Sequence, residues 1–253
     1  MLHDRSASRP TSRHDYPKWF AHFPFAPWGF RELNLLGWPL LALVIGFVWL
    51  GGGWQWLAIV PGALLVLVVY FFRDPPRRIP EAADAIVAPA DGTIVEVTPL
   101  EHDDFLAGPA VRIGIFLSIF NVHINRAPLA GRVLQTHYRP GEFLNALNPE
   151  SALRNESMWI GFETTAVPTR RFAVRQISGL IARRIVCLLE PGQAVARGEK
   201  FGMIKLGSRT ELLLPRDAAE VVVRPGDKVR AGSRIVAYWK SDKTHEPTHV
   251  ADP

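Results

Sequence analysis

Arg224-Pro-Gly-Asp-Lys-Val-Arg-Ala-Gly-Ser-Arg-Ile235 repeats the pattern of Glu190-Pro-Gly-Gln-Ala-Val-Ala-Arg-Gly-Glu-Lys-Phe201. Both read Pro-Gly-x-x-Val-x-x-Gly-x-x-apolar. Each is a tight turn, a short extended piece and a second turn, which punctuates strands and not helices. Short β-branched runs surround them at 85–88, 93–97, 111–117, 184–189, 211–214, 220–224 and 235–239. Runs of that length bounded by Gly and Pro are strand signals. No stretch after Arg73 holds a long helical period, and residues 142–153 read as a short helix or loop. The expected fold class is mainly β, α+β overall, with a sandwich or barrel-like domain.

Ahead of it, no charged side chain occurs between Glu32 and Arg73. Residues 35–50 and 54–72 are almost wholly apolar, close to the roughly 20 residues that span a bilayer. Gly51-Gly52-Gly53 separates them as a turn, and Pro61-Gly62 is expected to kink the second run. Trp38, Trp49, Trp54 and Trp56 lie near the run ends, where amphipathic rings favour the interface. Arg5, Arg9, Arg13, Lys18 and Arg31 precede the pair; Arg73, Arg77 and Arg78 follow it. The basic flanks place both ends in the cytoplasm by the positive-inside rule. The stretch begins too late for a cleaved signal peptide. The expected organisation is an arm at 1–32, a membrane hairpin at 33–72, one domain at 73–240 and a polar tail at 241–253.

The net charge of +5 suits an anionic partner. The cations are scattered, without a basic helix or a nucleic-acid motif, so membrane lipid is favoured and nucleic acid is not expected. The single cysteine, Cys187, excludes an internal disulfide and a Cys-based zinc cluster. Its apolar neighbours make it a buried structural thiol. No nucleophile elbow, P-loop or dinucleotide fingerprint is present.

Three motifs carry candidate chemistry: Ala88-Pro-Ala-Asp-Gly-Thr-Ile94, Phe116-Leu-Ser-Ile-Phe-Asn-Val-His-Ile-Asn-Arg-Ala-Pro128 and Phe201-Gly-Met-Ile-Lys-Leu-Gly-Ser-Arg209. Read alone, Asp-Gly is often only a turn, a lone His is often structural, and Gly-Ser is common in loops. Their order, with Arg73-Asp-Pro-Pro-Arg77 before them, resembles that of the phosphatidylserine decarboxylases of the short bacterial type over residues 71–239. The Pro-Gly repeats and Ala90–Val97 resemble biotinyl/lipoyl-type units, without their swinging-arm lysine.

The decarboxylase resemblance implies a proenzyme that cuts itself between Gly207 and Ser208. Ser208 then becomes a covalent pyruvoyl group, and no metal is required. His123 is the implied general base and Asp91 its orienting partner. The substrate amine forms a Schiff base with the pyruvoyl ketone, CO2 leaves, and reprotonation yields phosphatidylethanolamine. The implied partners are phosphatidylserine or another anionic membrane lipid; residues 1–207 and 208–253 stay associated as β and α chains. The implied location is the inner membrane, with the domain in the cytoplasm. Oligomeric state is open.

One position departs from the pattern. Many relatives carry a second His three residues after the first, and here Arg126 stands there. Either His123 serves both steps or cleavage relies on Asp91 and other groups, with His102 and His137 outside any matching motif. Arg73, Arg77 and Arg78 are candidates for the lipid phosphate, and Asn155-Glu156-Ser157 resembles a family motif without an assigned role. Two other readings remain: the same chemistry on an archaetidylserine, and a non-catalytic membrane-tethered lipoyl-like adaptor.

Overall fold

The computed structural model describes residues 24–146, 148, 150–180, 185–205 and 207–240. The expected arm up to residue 23 and the tail from 241 lie outside the described residues.

Two apolar helices open the structure. α1 (Phe30–Leu50) and α2 (Ile59–Phe71) pack together, joined by a 3-10 turn at Gly52–Ala58. Gly51 and Gly52 adopt positive φ at the bend, 64° and 56°. Both helical segments are long and apolar enough to cross a membrane. Most of their side chains point away from the domain: Trp49 is 85% exposed and Val66 68%. Among the described residues, little covers these apolar faces, which weakly suggests membrane association. The break in the second run falls at the change from 3-10 to α geometry. Pro61 then sits in the first turn of α2, where its missing N–H costs nothing.

The rest is β. In chain order come β1 (Ala85–Val87), β2 (Gly92–Asp103), β3 (Gly108–Leu117), β4 (Ile124–Arg126) and β5 (Gly131–Arg139). A short helix, α3 (Ser151–Arg154), precedes β6 (Ser157–Thr164) and β7 (Arg171–Ile177). Then follow β8 (Ile185–Cys187), β9 (Ala194–Val195), β10 (Lys200–Ile204) and β11 (Ser208–Pro215). β12 (Ala219–Val221), β13 (Lys228–Val229) and β14 (Ile235–Trp239) complete it.

Eight strands form one curled sheet in the order β13-β2-β3-β11-β7-β6-β5-β9. Two three-stranded sheets, β1-β14-β12 and β4-β10-β8, complete the domain. The sequence repeat explains the two ends of the large sheet. Val229 of β13 pairs with Gly92, and Val195 of β9 pairs with Gly131. Gly232 N–H donates to the Ala88 carbonyl at 2.9 Å, and Gly198 N–H to the Ala127 carbonyl at 2.7 Å. Each repeat thus closes one end of the sheet over an Ala-Pro segment.

The main core holds Ile86, Ile113, Ile115, Phe162, Phe172 and Leu212, with the Phe162 and Phe172 rings stacked at 4.8 Å. A smaller cluster joins the helix roots to the sheet. Phe71 and Phe72 pack there with Val122, Ile124, Val186 and Met203. The base of the hairpin therefore rests on the segments that flank His123.

Candidate active site

Ser208 opens β11, which lies between β3 and β7 in the middle of the large sheet. It is fully buried, and its Oγ has no hydrogen-bond partner among the described residues. A buried hydroxyl without a partner costs about 1–3 kcal/mol, so such a group calls for a reason. Gly207, just before it, sits at φ 61°, the left-handed region that favours glycine.

The carbonyl of Gly207 is held against a second glycine. A Cβ added at Gly179 would lie 1.7 Å from the Gly207 oxygen and 2.8 Å from its carbon. Only a hydrogen fits there. Gly179 follows Ser178, which is fixed from both sides: its N–H donates to the Glu156 carbonyl at 2.9 Å, and its carbonyl accepts from Asn155 Nδ2 at 2.8 Å. Asn155 also bonds both the N–H and the carbonyl of Leu144, each at 2.8 Å. The Asn155-Glu156 motif thus frames the segment that carries Gly179.

His123 faces the same stretch of chain. Leu117 pairs with Ser208 and Ile124 pairs with Met203, so the segment that carries His123 is anchored at both ends to β10 and β11. Within that clamp, the His123 carbonyl accepts from Ile204 N–H at 3.2 Å. The His123 side chain is fully buried under Phe71, with ring centroids 4.3 Å apart. Its Nδ1 lies 2.9 Å from the Asn121 carbonyl, and its Nε2 has no partner among the described residues. A carbonyl only accepts, so a neutral ring carries its proton on Nδ1 and leaves a lone pair on Nε2. Burial pushes the imidazole down to about 4, reinforced by the Arg73 charge and opposed by the Asn121 hydrogen bond. At neutral pH the ring is therefore an uncharged base.

Asp91 makes different contacts from the expected relay. One carboxylate receives Arg77 Nη2 at 2.8 and 3.0 Å and the Ala231 N–H at 2.8 Å. Both side chains of the Asp91–Arg77 pair are nearly buried, at 9% and 8% exposure. No hydrogen bond joins Asp91 to His123 among the described residues; the orienting acceptor is the Asn121 carbonyl. Asp91 instead ties the loop after β13 to the linker below the hairpin.

The other candidates separate clearly. Arg126 is buried in an ion pair with Asp74 at 2.9 Å and bonds the Gly198 carbonyl, so it acts as a structural tie. His102 is largely exposed beside Asp104. His137 lies against Trp159 on β5, three strands from β11. Cys187 is buried, and burial pushes its thiol up to about 12. Of the three arginines after the hairpin, Arg77 is committed to Asp91, whereas Arg73 lines an open cleft.

Sequence reading missed Gly179, Ser178 and the Asn121 carbonyl. Gly179 had one available signal, a Ser-Gly pair just after the β-branched segment that forms β7. The carbonyl had none, because a main-chain acceptor leaves no residue-type signature.

Behind Ser208, an ionic cluster anchors β11. Arg209 bonds Glu211 at 3.0 Å and also Glu96, and Arg112 bonds Glu96 at 2.6 Å. Burial raises the Glu96 carboxyl, but the hydrogen bonds from Arg209 and Arg112 outweigh it and bring it down to about 2. Gly114 leaves the room that the Arg209 guanidinium occupies.

Comparison with known proteins identifies the family. The family model described as phosphatidylserine decarboxylase matches residues 64–237. The chain is 47% identical over 225 residues to a phosphatidylserine decarboxylase proenzyme of Rhodopirellula baltica, covering 88% of this chain and 91% of that one. The proenzyme of Carboxydothermus hydrogenoformans is 44% identical, with coverage of 73% and 85%. That of Nitrosomonas eutropha is 43% identical, with coverage of 81% and 94%. The chain belongs to the phosphatidylserine decarboxylase family, whose members are self-processing carboxy-lyases.

Proposed function

We propose that this chain decarboxylates phosphatidylserine to phosphatidylethanolamine at a membrane, with a pyruvoyl group that it makes from its own Ser208. The observation that carries the reading is the buried Ser208 hydroxyl, unpartnered among the described residues, next to a left-handed Gly207 whose carbonyl is pinned by Gly179.

In this reading His123 Nε2 takes the proton from Ser208 Oγ. Oγ bonds to the Gly207 carbonyl carbon, the Gly207–Ser208 C–N bond breaks, and the nitrogen is protonated, giving an ester. Loss of the Ser208 Cα proton expels the Gly207 carboxylate and leaves a dehydroalanine. One water enters and one ammonia leaves, so that residue 208 ends as a ketone. That ketone supplies the electron sink for the pair released with CO2. His123 is the protein group that returns a proton to the substrate carbon. Asp91 acts at one remove: with Arg77 and Ala231 it holds the rim of the site.

The sheet explains how the two products remain one protein. β11 is registered with β3 along Ser208–Pro215 and with β7 along Arg209–Leu213. We read residues 33–72 as the membrane hairpin and 73–240 as the decarboxylase domain. Basic flanks favour the cytoplasmic side of the cell membrane. The two Pro-Gly repeats, each closing one sheet end, support biotinyl/lipoyl-like units in the architecture.

The test is CO2 release from carboxyl-labelled phosphatidylserine in mixed micelles. Wild-type protein should release label, and Ser208→Ala should release none. Release by the variant would refute the cofactor assignment.

A further inference from the structure

A cleft of about 730 Å³ opens at the hairpin end of the domain. Its basic lining comes from three places in the chain: Arg73 after α2, Lys228 on β13, and Arg230 and Arg234 in the loop beyond. Asp91 is the one acidic lining residue among those described, and Arg77 already compensates it at 2.8 Å. Lys228, Arg230 and Arg234 are exposed and make no side-chain hydrogen bond or ion pair among the described residues. Arg73 is fixed by neutral groups. It donates to the Tyr70 and Phe120 carbonyls at 2.7 and 2.8 Å and stacks over the Tyr70 ring at 3.6 Å. The cleft is thus a concentration of uncompensated, partly preorganised cations.

Its position is specific. Tyr70 and Arg73 lie at the end of α2, and Phe120, 61% exposed, stands on the rim, so the mouth is level with the base of the apolar helices. The inner wall includes Ser118 and Asn121. Ser118 follows Leu117, the strand partner of Ser208, and the Asn121 carbonyl holds the His123 ring. One wall therefore connects the basic rim to both proposed reacting groups.

We propose that this cleft is the subsite for the phosphodiester of the lipid headgroup. Arg230 and Arg234 grip the phosphate, and Arg73 supports it from the membrane side. Guanidinium forks match the oxygens of a phosphate, and an anion here is favoured by every unpaired charge in the lining. The headgroup then extends along Ser118 and Asn121 toward residue 208. Asp91 gains a reason to be where it is. Through the Ala231 N–H it fixes the loop that carries Arg230 and Arg234. The inference rests on the decarboxylase reading for its substrate, but not on the pyruvoyl chemistry.

The test uses full-length Arg230→Gln/Arg234→Gln protein, with Arg224→Gln as an exposed charge control outside the cleft. Intact mass reports self-cleavage, and mixed-micelle kinetics report KM for phosphatidylserine. The double variant should cleave itself fully, raise KM roughly tenfold or more, and lose competitive inhibition by glycerophosphate. Inhibition by glycerophosphate but not by inorganic phosphate distinguishes a lipid headgroup from free phosphate.

An unchanged KM, or an equal rise in Arg224→Gln, would overturn the subsite. So would weaker pelleting on phosphatidylglycerol vesicles with unchanged micellar KM, which marks a general membrane anchor. Calorimetry of glycerophosphoserine with Ser208→Ala protein, with and without the double substitution, keeps the two readings separate. Binding lost only with the arginines upholds the subsite even if no pyruvoyl group is found. Equal binding in both refutes it.

Discussion

Gly179 lies flat against the carbonyl of Gly207, so closely that a single methyl group would sit 1.7 Å from the oxygen. This contact fixes the bond proposed for cleavage in one orientation toward Ser208. Gly179→Ala is therefore expected to abolish self-cleavage by displacing that carbonyl. Denaturing electrophoresis after prolonged incubation reads the result. A folded, fully cleaved Gly179→Ala protein would show that the contact is incidental. Asn155→Ala, acting one step further back through Ser178, should slow cleavage without abolishing it.

His123 gives a pH signature. Its imidazole is held near 4 against an ordinary 6.5, so the ring stays neutral and basic at Nε2 well below neutrality. Self-cleavage should stay level from pH 8 to about 5 and fall toward pH 4. Stability follows the same group. Between about 4 and 6.5 the unfolded chain binds the proton and the folded one does not, so stability rises with pH across that window. The contribution is complete above the unfolded value and is lost as pH falls through the folded one. Its size is about 3 kcal/mol, since each tenfold change in proton affinity is worth about 1.4 kcal/mol. A half-loss of cleavage rate near pH 6.5 would contradict this environment.

Asp91 and Arg77 should behave as one unit. Removing one partner of a buried ion pair leaves the other uncompensated, at a cost of about 3–5 kcal/mol. Asp91→Asn and Arg77→Met should each lower the unfolding midpoint, and the double variant should fall well short of the sum. Asp91→Asn with wild-type stability and no cleavage would instead give the carboxylate a direct part in proton transfer.

The cleaved chains should not separate under native conditions. Ser208–Pro215 is paired along its length with β3, and Arg209 is tied to Glu96 and Glu211. Size exclusion should give one species that resolves into two chains only in denaturant. Separation in plain buffer would contradict the placement of β11 inside the sheet.

The repeat at 190–201 and 224–235 was legible as β architecture because a Pro-Gly turn and a later glycine restrict the backbone locally. The hairpin was legible because so long an uncharged stretch, from Glu32 to Arg73, has few alternatives. The register of its kink was not, since 3-10 and α geometry share the same apolar pattern. Ser208, Gly207 and His123 stood out as candidates through motif order. Their surroundings were not. Whether Asp91 meets a histidine or Arg77 depends on how the linker folds back, and the Asn121 carbonyl and Gly179 act through main chain. Arg126, standing where a second His was expected, is explained by its buried partner Asp74 and its bond to the Gly198 carbonyl.

The most direct test is intact-mass analysis of the purified wild-type protein beside Ser208→Ala. The account predicts two chains that meet at Gly207 and Ser208, the smaller ending in a pyruvoyl group, and a variant that stays whole. A single unmodified chain in wild-type protein that still decarboxylates phosphatidylserine would contradict it.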